Sequence, residues 1–243
     1  MIECTDLGTI HYLGAWQIQE KLQKKREEGK IPNRILLLEH LPIFTLGKRD
    51  CEADIISPEQ VIAAEGIDVV KSNRGGRVTY HGPGQLVCYF ICDIDEMVKA
   101  SRNAKLVGDS PACNIRKSGG FSGIKKFVWL IEEICIRVLT DFGIEGIRDP
   151  QHPGIWVARN KIAAIGLHVT RGISQHGFSL NVNCNLSHYR HIIPCGIHNR
   201  GVTSIENILG KAPNISEVKK SVITHIGRIF CVNVNSATDQ DLG

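Results

Sequence analysis

Two short runs settle the class of fold before any motif is considered. Arg34–His40 (RILLLEH) is apolar and bounded by Pro32 and Pro42, and Gln85–Ile94 (QLVCYFICDI) is rich in β-forming residues. Runs of that length and composition are buried strands. Ile124–Leu139 behaves differently. Its apolar residues, Ile124, Phe127, Val128, Ile131, Ile134, Cys135, Val138 and Leu139, recur at helical spacing. A chain holding both must pack helices on a sheet, which predicts an α/β (mixed α+β) architecture.

The remaining elements are weaker. Residues 11–29 read as a helix with a faint apolar stripe. Ile43–Leu46 is a strand ending at Gly47, and Ile67–Lys71 another. Ser57-Pro58-Glu59-Gln60 reads as a helix start, with Ser57 capping, Pro58 in the first turn and Gln60 completing a capping box. Ile155–Ala158 and Lys161–Val169 form a hairpin across an Arg-Asn turn, and Phe178–Val182 is a strand. Ser216–Phe230 is an amphipathic helix with Val218, Val222, Ile226 and Ile229 on one face. Residues 101–123 are polar and glycine-rich without a period and read as a surface insertion. With no repeat and no clear linker, residues 1–243 are expected to form a single domain.

Bulk properties exclude several classes. At 42% hydrophobic over 243 residues the chain supports a real core. No apolar run approaches the ~20 residues of a membrane span. Residues 1–20 lack the pattern of a signal peptide, so a cytoplasmic protein is expected. Nine cysteines without a C-x-x-C pair read as buried small hydrophobes, Cys88, Cys92 and Cys135 above all. A net charge of +4 suits an acidic protein partner and does not demand nucleic acid. Lys21–Lys30 also carries Glu27 and Glu28 and reads as a solvated helix face.

Three segments carry the chemistry. Arg74–Gln85 (RGGRVTYHGPGQ) is glycine-rich, so its backbone can approach a ligand closely. It lacks both the Gly-Lys-Ser/Thr ending of a phosphate loop and the G-x-G-x-x-G spacing. The plain alternative is a tight turn between strands. Cys195 lies in HIIPCGI, between a stiff Pro194 and a free Gly196, which suits a turn presenting a thiol to a cleft. A free thiol has a pKa of about 8.5 and needs a partner to be nucleophilic. Lys161, opening an apolar strand, is the candidate, either as an ammonium that stabilises the thiolate or as a neutral base. A competing reading gathers Cys184, His188, His191, Cys195 and His198 around zinc, although no common finger spacing is present. The bland reading of His188, His191 and His198 is loop polarity.

Taken together, RGGRVTYHGPGQ, GIWV followed by KIAAIG, HGFSLNVN and IIPCGI resemble the lipoyl(octanoyl) transferases, in that family's order and over roughly residues 5–210. The resemblance implies a fold similar to the biotin and lipoate protein ligase catalytic domain. It implies transfer of octanoyl from octanoyl-acyl carrier protein, through a thioester on Cys195, to a lysine of lipoyl domains. Those acceptors belong to 2-oxoacid dehydrogenase complexes and the glycine cleavage H protein. It further implies that Lys161 handles protons and that no cofactor, metal or ATP is used. The substrate site would comprise Arg74, Gly75, Gly76, Arg77, Val78, Thr79, Tyr80, His81, Ala164, Ile165, Gly166, Gly177, Phe178 and Ser179. Backbone amides at Cys195-Gly196 or in the 74–85 loop are candidate oxyanion donors, and Lys161 or His81 could accept the acceptor lysine's proton. The 101–123 segment is longer than the family usually has there. The alternatives are an ATP-dependent lipoate or biotin ligase and a non-catalytic zinc or acyl-binding module.

Overall fold

The computed structural model describes residues 1–49, 52–101 and 123–237. The expected insertion at 101–123 lies almost wholly outside them. The chain runs β1 (Ile2–Ile10), α1 (Tyr12–Glu27), β2 (Asn33–His40), β3 (Ile43–Leu46), α2 (Glu59–Ala64), β4 (Asp68–Lys71), β5 (Thr79–His81), β6 (Gln85–Ile91) and α3 (Ile94–Ala100). It continues with α4 (Gly123–Asp141), β7 (Ile147–Arg148), β8 (Ile155–Val157), β9 (Asn160–Thr170), β10 (Ile173–Asn181), β11 (Gly201–Val202), α5 (Ile205–Leu209), α6 (Ile215–Phe230) and β12 (Val234–Ser236).

A large mixed sheet has the order β12-β1-β2-β6-β10-β9-β8-β7, with β11 beside β9. β1 runs parallel to β2 and β12, while β2, β6, β10, β9, β8 and β7 pair antiparallel in turn. A small sheet, β4-β3-β5, stands beside it. The apolar runs explain the layers. In β2, Ile35 and Leu37 join the core beneath α4 and α6, whereas Leu36 and Leu38 join the core beneath α1. Both faces of the strand are covered, so it shows no polar alternation. A third core gathers Phe44, Leu46, Val78 and Tyr80 of the small-sheet region with Ile62 and Tyr189.

Several expectations need correction. Ser57 does not cap α2: the helix starts at Glu59, Pro58 holds the cap position, and no side chain caps it. The Ser57 hydroxyl instead lies 2.8 Å from His191 Nδ1, a tertiary contact that local pattern does not encode. The Gln85 strand stops at Ile91, because Asp93 accepts the Glu96 amide and starts α3 at Ile94. Ile124 is exposed at the start of α4, while Glu132 and Glu133 are buried further along. β1, β5 and β12 carry no signal that the sequence reading recognised.

Candidate active site

Pro194–Gly196 forms a single tight helical turn, and Cys195 within it adopts φ 56°, ψ 17°. Left-handed backbone at a non-glycine residue costs of order 1–3 kcal/mol and persists only where the surroundings enforce it. Here the Cys195 amide donates to Val78 O (3.0 Å), Gly196 to Ile193 O (3.0 Å) and Ile193 to Asp54 O (2.7 Å). The expectation that the Cys195 and Gly196 amides receive an oxyanion is thereby corrected, since both already serve carbonyls. Beside the turn, Arg77 packs on Gly196 so closely that a Cβ there would sit 2.7 Å from Arg77 Nε. The half-buried thiol opens onto a cavity of about 280 Å³.

Lys161, second residue of β9, is buried, and its Nζ lies 3.5 Å from Cys195 Sγ. It also donates to Pro153 O (3.1 Å) and sits 4.9 Å above the Trp156 ring. Pro153 is itself fixed by its neighbour. The Gly154 amide donates to Glu132 Oε1 (3.1 Å), and a Cβ at Gly154, whose φ is 122°, would lie 2.5 Å from Ala163 O. Burial raises the Glu132 carboxyl above its ordinary range, against the lowering pull of the Gly154 amide and Arg148.

The Arg74–His81 loop forms the facing wall. Gly75 N–H donates to Leu167 O (2.9 Å), which brings the loop edge-on to β9. Buried Arg74 donates to Thr45 Oγ1 through Nε (3.0 Å) and Nη2 (2.8 Å), so its charge braces the loop. In β5 the side chains alternate. Thr79 and His81 line the cavity, while Val78 and Tyr80 belong to the third core, where the Tyr80 hydroxyl reaches His188 Nδ1 at 2.8 Å. Of the expected substrate residues, the structure therefore brings Arg74, Gly75, Gly76, Arg77, Thr79 and His81 together and leaves Val78 and Tyr80 behind the wall. Ala164, Ile165, Gly166, Gly177, Phe178 and Ser179 also line the cavity, paired across β9 and β10 as Ala164–Ser179, Ile165–Phe178 and Gly166–Gly177.

His188 and His191 are not plain loop polarity, whereas His198 is exposed. Buried His191 lies between Ser57 Oγ (2.8 Å) and Glu65 Oε2 (3.0 Å), tying the segment before Cys195 to α2. Cys184 Sγ turns to Asn181 Oδ1 instead. Among the described residues no group of three His, Cys, Asp or Glu side chains is placed to hold a metal ion.

The model of the lipoyl protein ligase A/B catalytic domain matches residues 11–109 and 110–227. An octanoyltransferase of Alkaliphilus metalliredigens is 41% identical over 94% of this chain and 95% of its own. One from Desulforamulus reducens is 40% identical over 92% and 89%. The chain belongs to the octanoyltransferase family. Its fold is shared more widely. The bipartite lipoate protein ligase of Thermoplasma acidophilum superposes with a TM-score of 0.68 at 12% identity, covering 99% of this chain and 89% of that one. A lipoate-protein ligase A bound with ATP gives 0.67 at 12% identity, covering 99% and 91%.

Four residues of this octanoyltransferase site escaped the sequence reading: Asp54, Glu132, Tyr12 and His176. Asp54 and Glu132 reach it only through backbone atoms or a second side chain. Tyr12 and His176 arrive from α1 and β10 to line the inner cavity. Two signals were available: Glu132 stands at helical spacing with Cys135 beside the apolar stripe of α4, and His176 opens the HGFSLNVN run.

Proposed function

We propose that this octanoyltransferase takes an octanoyl group from octanoyl-acyl carrier protein onto Cys195 and passes it to a lysine of lipoyl domains. Those domains are the ones carried by 2-oxoacid dehydrogenase complexes and the glycine cleavage H protein, and the reaction belongs in the cytoplasm. One observation carries the reading: a strained, half-buried thiol 3.5 Å from a buried lysine amine at the wall of one cavity.

In the first step the Cys195 thiol gives its proton to Lys161 and its sulfur attacks the donor thioester carbonyl. The carrier's thiol leaves and takes a proton from Lys161. In the second, the acceptor amine attacks the Cys195 thioester, and its proton passes by way of Lys161 to the Cys195 sulfur, which leaves as the thiol. Dividing the transfer in this way keeps each step a two-body reaction. With the Cys195 and Gly196 amides engaged, and the Arg74 and Gly75 amides held by Ser72 Oγ and Leu167 O, the rest of the 74–85 loop is the proposed source of oxyanion donors. His81 is a poor proton acceptor, because burial holds its ring well below the ordinary histidine range. The acyl group arrives activated, so the cycle needs no nucleotide.

Intact mass after mixing with octanoyl-acyl carrier protein tests the route. Wild type should gain one octanoyl group and lose it to an added lipoyl domain, while Cys195→Ser gains none. A folded wild type that gains none, yet modifies the acceptor with octanoate and ATP, would make it a ligase.

A further inference from the structure

His176 is a backbone outlier inside a strand. It lies in β10 with φ 60°. Strand alternation would send its side chain to the same face as Phe178 and Leu180, which sit in the core under α4 and α6. The left-handed backbone turns the ring to the opposite face. There it stacks on Tyr12 of α1, with ring centroids 6.4 Å apart and planes 8° apart, and meets the edge of Tyr89 at 5.7 Å. His Nε2 is fixed by Asn73 Oδ1 at 2.6 Å, and Trp16 packs behind at 6.3 Å. Tyr12 is held in turn by Ser72 Oγ at 2.6 Å and stacks on His81 at 6.1 Å. Strain of this kind is kept where the surrounding structure over-determines it, and such sites cluster where function needs a particular aim.

The wall stands at a particular depth. Cys195 shares a small hollow with Ala164 and Ser179. Ser179 and His176 are three residues apart on β10, roughly 10 Å at the rise of a strand. That span matches an extended octanoyl chain. Along it the floor is made of small residues, Ala164, Gly166, Gly177 and Ser179, which leave room for a narrow aliphatic chain.

We propose that the stacked Tyr12 and His176 rings are the end wall of the acyl cavity and set the longest chain this enzyme accepts. The proposal rests on the octanoyl thioester reading and names the residues that enforce its length. Both rings line the cavity beyond that floor. A longer chain must displace a ring that is pinned by Asn73 and Trp16. Discrimination at such a wall amounts to about tenfold or more per added methylene.

The test compares octanoyl-, decanoyl- and dodecanoyl-acyl carrier protein as donors, reading kcat/KM and the mass of the Cys195 adduct. His176→Gly removes the ring and relieves the backbone, and Tyr12→Leu removes the stacking partner. In wild type the dodecanoyl donor should be strongly disfavoured. In either variant the dodecanoyl-to-octanoyl ratio should rise about tenfold or more. Folded variants that form the octanoyl adduct with the wild-type ratio overturn the proposal. So does a wild type that takes dodecanoyl as readily as octanoyl, whatever the variants do. Failure of the thioester reading looks different, with no adduct of any length on wild-type Cys195.

Discussion

Asp54 grips Arg77 with both carboxylate oxygens, Oδ2 at 2.6 Å from Nε and Oδ1 at 2.8 Å from Nη2. The same residue's carbonyl accepts the Ile193 amide, and the Arg77 side chain lies against Gly196. One aspartate thus braces both sides of the turn that carries the thiol. It does so from a segment far away in sequence.

Asp54→Asn removes the charge and leaves Arg77 without its two-pronged partner. A charge-assisted contact of this type is worth about 2 kcal/mol. The melting temperature should fall. The rate at which iodoacetamide alkylates Cys195 should also change, because the turn loses its brace. A lower melting temperature with an unchanged alkylation rate would limit Asp54 to a structural role.

Lys161→Arg keeps a positive charge but replaces a compact amine by a planar guanidinium that does not deprotonate. If Lys161 moves protons in both steps, single-turnover octanoyl transfer should drop by about a hundredfold or more. Folding, followed by circular dichroism, should hold. A transfer rate near wild type would leave Lys161 only the task of stabilising the thiolate.

Acid should loosen the fold around the inner cavity. Burial lowers His40 to about 4 and His176 to about 3. Below about pH 6.5 the unfolded chain takes up protons at these rings that the folded chain refuses. Their contribution is therefore intact above that pH and is lost as pH falls toward those lower values. At pH 5 the loss is about 2 kcal/mol for each ring. Urea unfolding at pH 7.5 and pH 5 measures it, and His40→Phe should flatten part of the difference. His40 is suited to that test because its partners are internal, Ile10 O at 2.9 Å and the Tyr89 hydroxyl at 2.7 Å.

Gly154→Ala should be severe for a residue that touches no substrate. Its φ of 122° strains any side chain, and the new Cβ would meet Ala163 O at 2.5 Å. The displaced backbone would carry Pro153 O away from Lys161 Nζ. Octanoyl transfer should fall more than the thermal stability alone accounts for, as read by assaying the folded fraction well below the melting temperature.

By itself the sequence determined the mixed α/β class and pointed to Cys195 and Lys161 as a candidate pair. The apolar strands, the periodic helices at Ile124–Leu139 and Ser216–Phe230, and the Pro-Cys-Gly turn are all local signals. Each is set by spacing or by the chemistry of neighbours in the chain. The tertiary structure alone decided which faces those elements present. Whether Val78 or Thr79 borders the cavity follows from the register of β5 against β3. His176 reaches Tyr12 only because a left-handed backbone reverses its side. Ser57, which looks like a helix cap, is drawn off by His191, 134 positions away. Such choices depend on contacts between distant segments, and a local pattern is blind to them because the competing local interactions differ by only about 1 kcal/mol.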